Sequence, residues 1–363
     1  MSVELDDSYE SIYQRAISQM GFGRPDEAIE SLWRIVNRLT RLRPETLRKK
    51  ETLQAILITA WGSLVQFLRW EGRYDEAISA CEKVIDHLPS DNGADRRIGS
   101  LMIERGDVEE GLERLRQIAD DRQNFMSWAD LGAEYVALKR YEEAEPCYQA
   151  ALSLAESNET AAIANAGLFR VAKETDRVGD ALNAWSMIAV LDPDLADHVS
   201  EVYAWLIDRG DLERAEKYLN REPDPISRAF YQGMIDWQSE RPDAARSKWH
   251  RVLDMELDDD ADATPWIEAA IRLAEPQRAI EAEGTFLERD AGISVDEAAA
   301  LGIAHAMLDE VNEAKAWFEQ IIERQKRGWP KKRKIDSQHW TLLTSVVTNQ
   351  ETVQALADYF DKD

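Results

Sequence analysis

Two cysteines, five histidines and seventy carboxylates are the residues with which this 363-residue chain could do chemistry. A cysteine nucleophile needs an imidazole or another positive group beside its sulfur. The nearest such pair, Cys81 and His87, lies six residues apart, so on one helix the two side chains point to different faces. Cys81 and Cys147 are 66 residues apart, each on the inward side of a helix, and read as buried free thiols rather than a disulfide or a zinc site. His87, His198, His250, His305 and His339 are scattered without ligand spacing, so no metal and no cofactor is expected. The acidic run from Asp254 to Asp262 offers hard-cation ligands, but it has no glycine at the sixth position and no glutamate at the twelfth, and reads as a solvated loop. No glycine-rich phosphate loop, nucleophile elbow or HExxH occurs, and carboxylates this abundant pair by accident. The sequence predicts no catalytic residue and no enzyme.

Charge narrows the partners. Forty-four Lys and Arg stand against 70 Asp and Glu, a net of −26, which disfavours nucleic acid and anionic membranes. Two basic patches run against this balance. One gathers Arg34, Arg38, Arg41, Arg43, Arg48, Lys49 and Lys50; the other runs from Arg324 to Lys334 around Trp329 and Pro330 and reads as a solvated connector. Met1 to Tyr9 has no apolar signal region and no run of eighteen apolar residues occurs, so a cytoplasmic protein is expected.

The elements that would position any site follow from a repeat. Small residues recur at 28, 77, 111, 144, 181, 215, 245, 279 and 314, and from Ala77 onward the intervals are 34, 33, 37, 34, 30, 34 and 35 residues. That is the period at which helical hairpins stack. Four and seven residues after each anchor the chain is apolar, an i, i+4, i+7 helical stripe broken only by Glu283 and Glu222. Twelve residues before it stand Gly99, Gly132, Gly233 and Gly302, expected to mark a close crossing of two helices with the anchor as partner. Carboxylates recur two residues before, where they suit a helix N-terminus, as at Asp26, Asp75 and Glu109. Pro89 and Pro193 would end second helices.

Trp128, Leu131, Gly132, Tyr135, Ala144, Tyr148 and Ala151 together resemble the tetratricopeptide repeat, and Trp61, Leu64, Ala77, Val84 and Pro89 fill most of another copy. The resemblance covers about residues 9 to 325. It implies an all-α, right-handed superhelical solenoid of stacked antiparallel hairpins over 1–363: an N-terminal hairpin with a lengthened connection (9–57), regular repeats (58–325), a basic connector (326–335) and a C-terminal capping hairpin (336–363). The excess between Ala28 and Ala77, in Glu45 to Thr59, reads as a lengthened first helix.

In such proteins the first helices line a concave groove. By that register Phe230, Met234 and Trp237, with Arg170 and Lys173, are the expected partner-binding residues, and Met126, Ala133, Ile303 and Met307 are further groove positions. The implied function is a non-enzymatic scaffold or adaptor holding a peptide or helix of a protein partner. A ligand-responsive regulator, or a subunit that wraps and inhibits an enzyme or toxin, is the alternative. The residues after the glycine are Ser100, Ala133, Met234 and Ile303, so the asparagine of the chaperone-tail clamp is missing. The pattern does not fix an oligomeric state.

Overall fold

The computed structural model of the protein describes residues 3–88, 93–191, 199–257, 262–284, 293–326 and 337–360. The basic run from Arg327 to Lys334, the centre of the acidic run (258–261), Pro89, Pro193 and Phe286 lie outside them. The described residues form 21 α-helices and no strand. They fall into two compact units, Met1–Ala196 and Asp197–Asp363.

The first unit holds α1 (Val3–Gly21), α2 (Pro25–Leu39), α3 (Pro44–Arg48), α4 (Glu51–Trp70), α5 (Tyr74–Ile85), α6 (Ala94–Arg105), α7 (Val108–Arg122), α8 (Phe125–Ala137), α9 (Tyr141–Ser153), α10 (Asn158–Glu174) and α11 (Val178–Leu191). The second holds α12 (Val199–Asp208), α13 (Leu212–Leu219), α14 (Pro225–Gln238), α15 (Pro242–Leu253), α16 (Thr264–Arg272), α17 (Pro276–Glu281), α18 (Val295–Met307), α19 (Val311–Lys326), α20 (Ser337–Val346) and α21 (Gln350–Phe360). From α1 to α19 the helices pack two by two as hairpins, α3 standing outside a pair, while α20 packs on α18 and α21 on α19. The expected lengthened helix is in fact two: Pro44 opens a five-residue helix pinned by fully buried Leu47, and the chain re-enters helix at Glu51.

Each hairpin turns in the same way. Five residues before every anchor the backbone has positive φ, between 58° and 113°, whether the residue is Gly23, Gly72, Gly106 or Gly210, or Lys139, Asp176, Glu240, Ala274 or Asp309. The next N–H then donates back to the carbonyl five residues earlier, as from Arg73 to Leu68 and from Arg140 to Tyr135, both 2.8 Å. This is the left-handed stop that satisfies the orphan carbonyls of a first helix.

The anchors themselves are fully buried at Ala28, Ala77, Ala144, Ala181, Ala215, Ala245, Ala279 and Ala314. The glycines meet a different partner from the one expected, namely the large residue four positions after the anchor. A Cβ on Gly233 would lie 2.5 Å from Trp249 Nε1, on Gly302 2.9 Å from Phe318, and on Gly132 3.1 Å from the Tyr148 ring. In the third hairpin glycine and anchor also meet directly, at Gly99 and Gly111. Tyr148 is held from both sides, because a Cβ on Gly167 of the following hairpin would come within 2.2 Å of the same ring.

The turns of the first unit are linked by arginines. Arg73 binds Asp26 at 2.9 Å, Arg105 binds Asp75, Arg140 binds Glu109 at 2.7 Å and Arg177 binds Glu145 at 2.9 Å, each bond reaching back to the preceding hairpin. Asp26, Asp75 and Glu109, two residues before their anchors, therefore serve neighbouring repeats as well as their own helix ends, and in the next hairpin Glu145, just after its anchor, takes that place. Arg73 and Arg140 each also grip a glutamate three residues ahead.

In the second unit α18 is buried all round from Glu297 to Ala306. Such a helix belongs to a core. Ile303, expected on an open face, is instead fully buried. Glu297 survives there because both carboxylate oxygens accept backbone N–H groups, from Ala263 and Ser294, each at 2.7 Å.

Candidate partner-binding surfaces

The first helices of the first unit carry a polar lattice. Arg69 of α4 pairs with Glu104 of α6 at 2.6 Å, and Arg96 of α6 with Asp130 of α8 at 2.5 Å. Glu134, one turn after Asp130, makes no ion pair among the described residues; Ser100 hydrogen-bonds to it and the charge of Arg69 acts on it from further off. Burial pushes its carboxyl above the ordinary range, and the neighbouring charges of Glu104 and Asp130 add to that.

On α10, Arg170 is exposed and Lys173 partly so, one turn apart. Arg170 lies close enough to Tyr148 to oppose the rise of its hydroxyl, which burial pushes up to about 12. Neither Arg170 nor Lys173 makes an ion pair among the described residues. Met126 is 49% exposed and Ile163 43%, each in the first half of its helix.

In the second unit the three aromatic and methionine positions of α14 separate. Phe230 is 2% exposed and packs with Ile226 and Trp249 in the core, with Trp249 Nε1 donating to its carbonyl at 3.2 Å. It therefore offers no side chain to a partner, and its placement on an open groove is corrected. The position fifteen before the anchor turns toward the second helix, whose Trp249 fills the space that Gly233 leaves. Met234 is partly buried against the same core. Trp237 is 47% exposed, its ring centroid 5.7 Å from that of Trp249. Beside it in sequence, buried Asp236 is neutralised by Arg241 at 2.7 Å and Lys248 at 3.3 Å. The residues of α14 belong to the second unit, and Arg170 and Lys173 to the first.

Other reactive groups are accounted for structurally. Both cysteines are buried and free. Burial pushes the Cys81 thiol up to about 12 and the Cys147 thiol up to about 11. No cluster of three or more His, Cys, Asp or Glu among the described residues could hold a metal ion. Glu222 and Glu283, which break the apolar stripe, have partners that the repeat pattern does not reveal. Glu222 accepts the Tyr203 hydroxyl at 2.7 Å and the Asp224 N–H at 3.0 Å. Glu283 and Glu310 face the two ring nitrogens of buried His305, at 3.1 and 2.7 Å. Burial and the Glu222 bond raise the Tyr203 hydroxyl.

Family models described as tetratricopeptide repeat match residues 69–134 and 125–158, which include the turns from α4 to α9 and the Gly132–Tyr148 contact. Residues 69–158 carry tetratricopeptide repeats. Among solved structures it is similar to a tetratricopeptide repeat protein from Parabacteroides merdae, at 16% identity over 74% of this chain and 98% of that one, with a TM-score of 0.39. It is also similar to yeast Tom70, at 16% identity over 93% of this chain and 63% of Tom70, with a TM-score of 0.46. No curated protein matches the sequence. Tetratricopeptide repeats are in general protein-interaction modules rather than catalytic ones, and the chain is an interaction scaffold in that broad sense. Among the described residues no helix is long and apolar enough to cross a membrane.

Proposed function

We propose that the first-helix faces of this tetratricopeptide-repeat chain bind a peptide or helical segment of a protein partner, and that the chain works by holding that segment rather than by catalysis. The observation that carries this reading is Trp237. Almost half of a large aromatic side chain is left in water while Trp249 fixes its orientation, a combination that suits an interface anchor. Met234 flanks it on α14; in the first unit, taken by itself, Arg170 and Lys173 are the candidate partner-binding residues.

Trp237→Ala tests the reading when folding and binding are measured on the same variant. Partners captured from the native host with wild-type bait should be lost, or weakened by about 2 kcal/mol or more, with a variant that melts normally. A large drop in melting temperature with retained capture would make Trp237 part of the core.

A further inference from the structure

We propose that a cleft between α1 and α4 binds a small quaternary ammonium ion, of the size of choline. Such a ligand is independent of the partner segment proposed above.

The cleft opens where two tyrosines face small residues. On α1, Tyr9 and Tyr13 are one turn apart with Glu10 beside them, and on α4, Thr52, Ala55, Ile56 and Thr59 form a single helical stripe against them. Together they enclose a space of about 190 Å³. Pockets for drug-sized ligands run to about 300–1,000 Å³, so the occupant is smaller than that. Both rings are held in place. The Tyr13 hydroxyl lies 3.1 Å from Ser63 Oγ on α4, and Tyr9 is buried with the Arg38 guanidinium 5.3 Å from its ring centroid. Fixed aromatic rings beside a carboxylate attract an organic cation through their negative faces.

The sign of the ligand's charge follows from the ionisable residues of the two helices. Glu10 is the charged group among those that line the cleft, and it makes no ion pair among the described residues. Along α1 the charged residues before it, Glu4, Asp6 and Asp7, are acidic too; the next base, Arg15, is five positions on and faces another side. On α4 no charged residue stands between Glu51 and Arg69. Arg38 and Lys50 line a separate cleft with Leu42 and Leu53, which meets this one at Tyr9. Arg38 already takes the Tyr9 ring, so Tyr13 carries most of the attraction here. The choice of a quaternary nitrogen follows from the acceptors. A primary ammonium brings three donors, whereas Glu10 already accepts the Gln14 amide at 2.7 Å and the Tyr13 hydroxyl is engaged with Ser63. A quaternary nitrogen has no N–H to satisfy, and its methyl groups suit Ala55 and Ile56.

The test is isothermal titration of choline chloride into the intact 363-residue protein at fixed ionic strength. Saturable binding with a Kd of about 1 mM or tighter is expected. The neutral carbon isostere of choline, which has the same shape and no charge, should bind about tenfold more weakly or worse, and so should ethanolamine. Tyr13→Phe keeps the ring and should bind like wild type, while Tyr13→Leu and Glu10→Lys should each weaken choline by about tenfold. Ala55→Leu fills the space without removing either ring or the charge, and should abolish binding at an unchanged melting temperature. No saturable binding, equal binding of the neutral isostere or of ethanolamine, or full affinity in Ala55→Leu overturns the proposal. Binding of a trimethyllysine peptide without binding of choline overturns it too, and gives the cleft to a protein partner instead.

Discussion

Glu134 is a partly buried carboxylate that makes no ion pair among the described residues, and its burial outweighs the Ser100 hydrogen bond and the charge of Arg69, so its carboxyl is raised. Its value is raised in the folded chain, so the stability it contributes is full at low pH and is lost as pH rises through that folded value. Glu134→Gln keeps an acceptor for Ser100 and removes the charge. The variant should melt above wild type at pH 7, with the gap closing as pH falls toward 4. An offset that is the same at both values would mean that the buried charge is not its source. The two thiols are predicted to be inert for a related reason. With values near 12 and 11 almost no thiolate exists at pH 8, and burial blocks access, so native labelling of Cys81 and Cys147 should proceed only through unfolding. Rapid labelling of either would contradict their placement. At this scale the sequence reads apolar slots well and polar ones poorly. Cys81 and Cys147 fall where an i, i+4 stripe puts them. Glu222 and Glu283 look like defects until Tyr203 and His305 are seen opposite them, because periodicity reports burial and says nothing about who satisfies a buried oxygen. Phe230 was legible as helical but not as inward, since one helix face grades continuously from rim to core.

The hairpin is the element whose packing can be tested most sharply, because its glycines divide into two kinds. A methyl group on Gly167 would press into Tyr148, which cannot yield because Gly132 backs it from the other side. Overpacking costs about 1–3 kcal/mol, against about 1 kcal/mol of helix propensity gained. Gly167→Ala should therefore lose stability by up to about 2 kcal/mol. Gly62 in α4 has no atom within 4 Å of a built Cβ, and Gly62→Ala should instead gain about 0.5–1 kcal/mol. Denaturant midpoints of the two variants decide; equal signs would refute the socket. The hairpin as such is plain in the sequence, since anchor, stripe and spacing agree on it. Its turn is only half legible. Glycine marks the left-handed residue in four copies, while Lys139, Asp176, Glu240, Ala274 and Asp309 adopt it with no glycine to announce it. The arginine links between turns are also hidden, because each joins residues about thirty positions or more apart and only the stacked geometry brings them together.

Across the whole molecule the excess of 26 negative charges sets how it meets other polymers. Labelled DNA or RNA titrated into the intact protein should show no saturable binding at physiological salt. Binding that appears and falls steeply with added salt would instead give the basic run from Arg324 to Lys334 a docking role. Period and charge were readable at this scale, whereas the two compact units were not, because the repeat spacing passes from the fifth to the sixth hairpin at 34 residues without a break. The Tyr148 socket has a consequence for how such a chain grows. Gene duplication is usually imagined to add one repeat at a time, each carrying its own packing. Here the ring supplied by the fourth hairpin is enclosed by a glycine of the fifth, so a copy of the fourth inserted elsewhere arrives with half its socket missing. A rearrangement that keeps the socket whole has to cut on either side of the pair, so the smallest stretch that carries it is the fourth and fifth hairpins together, about 70 residues.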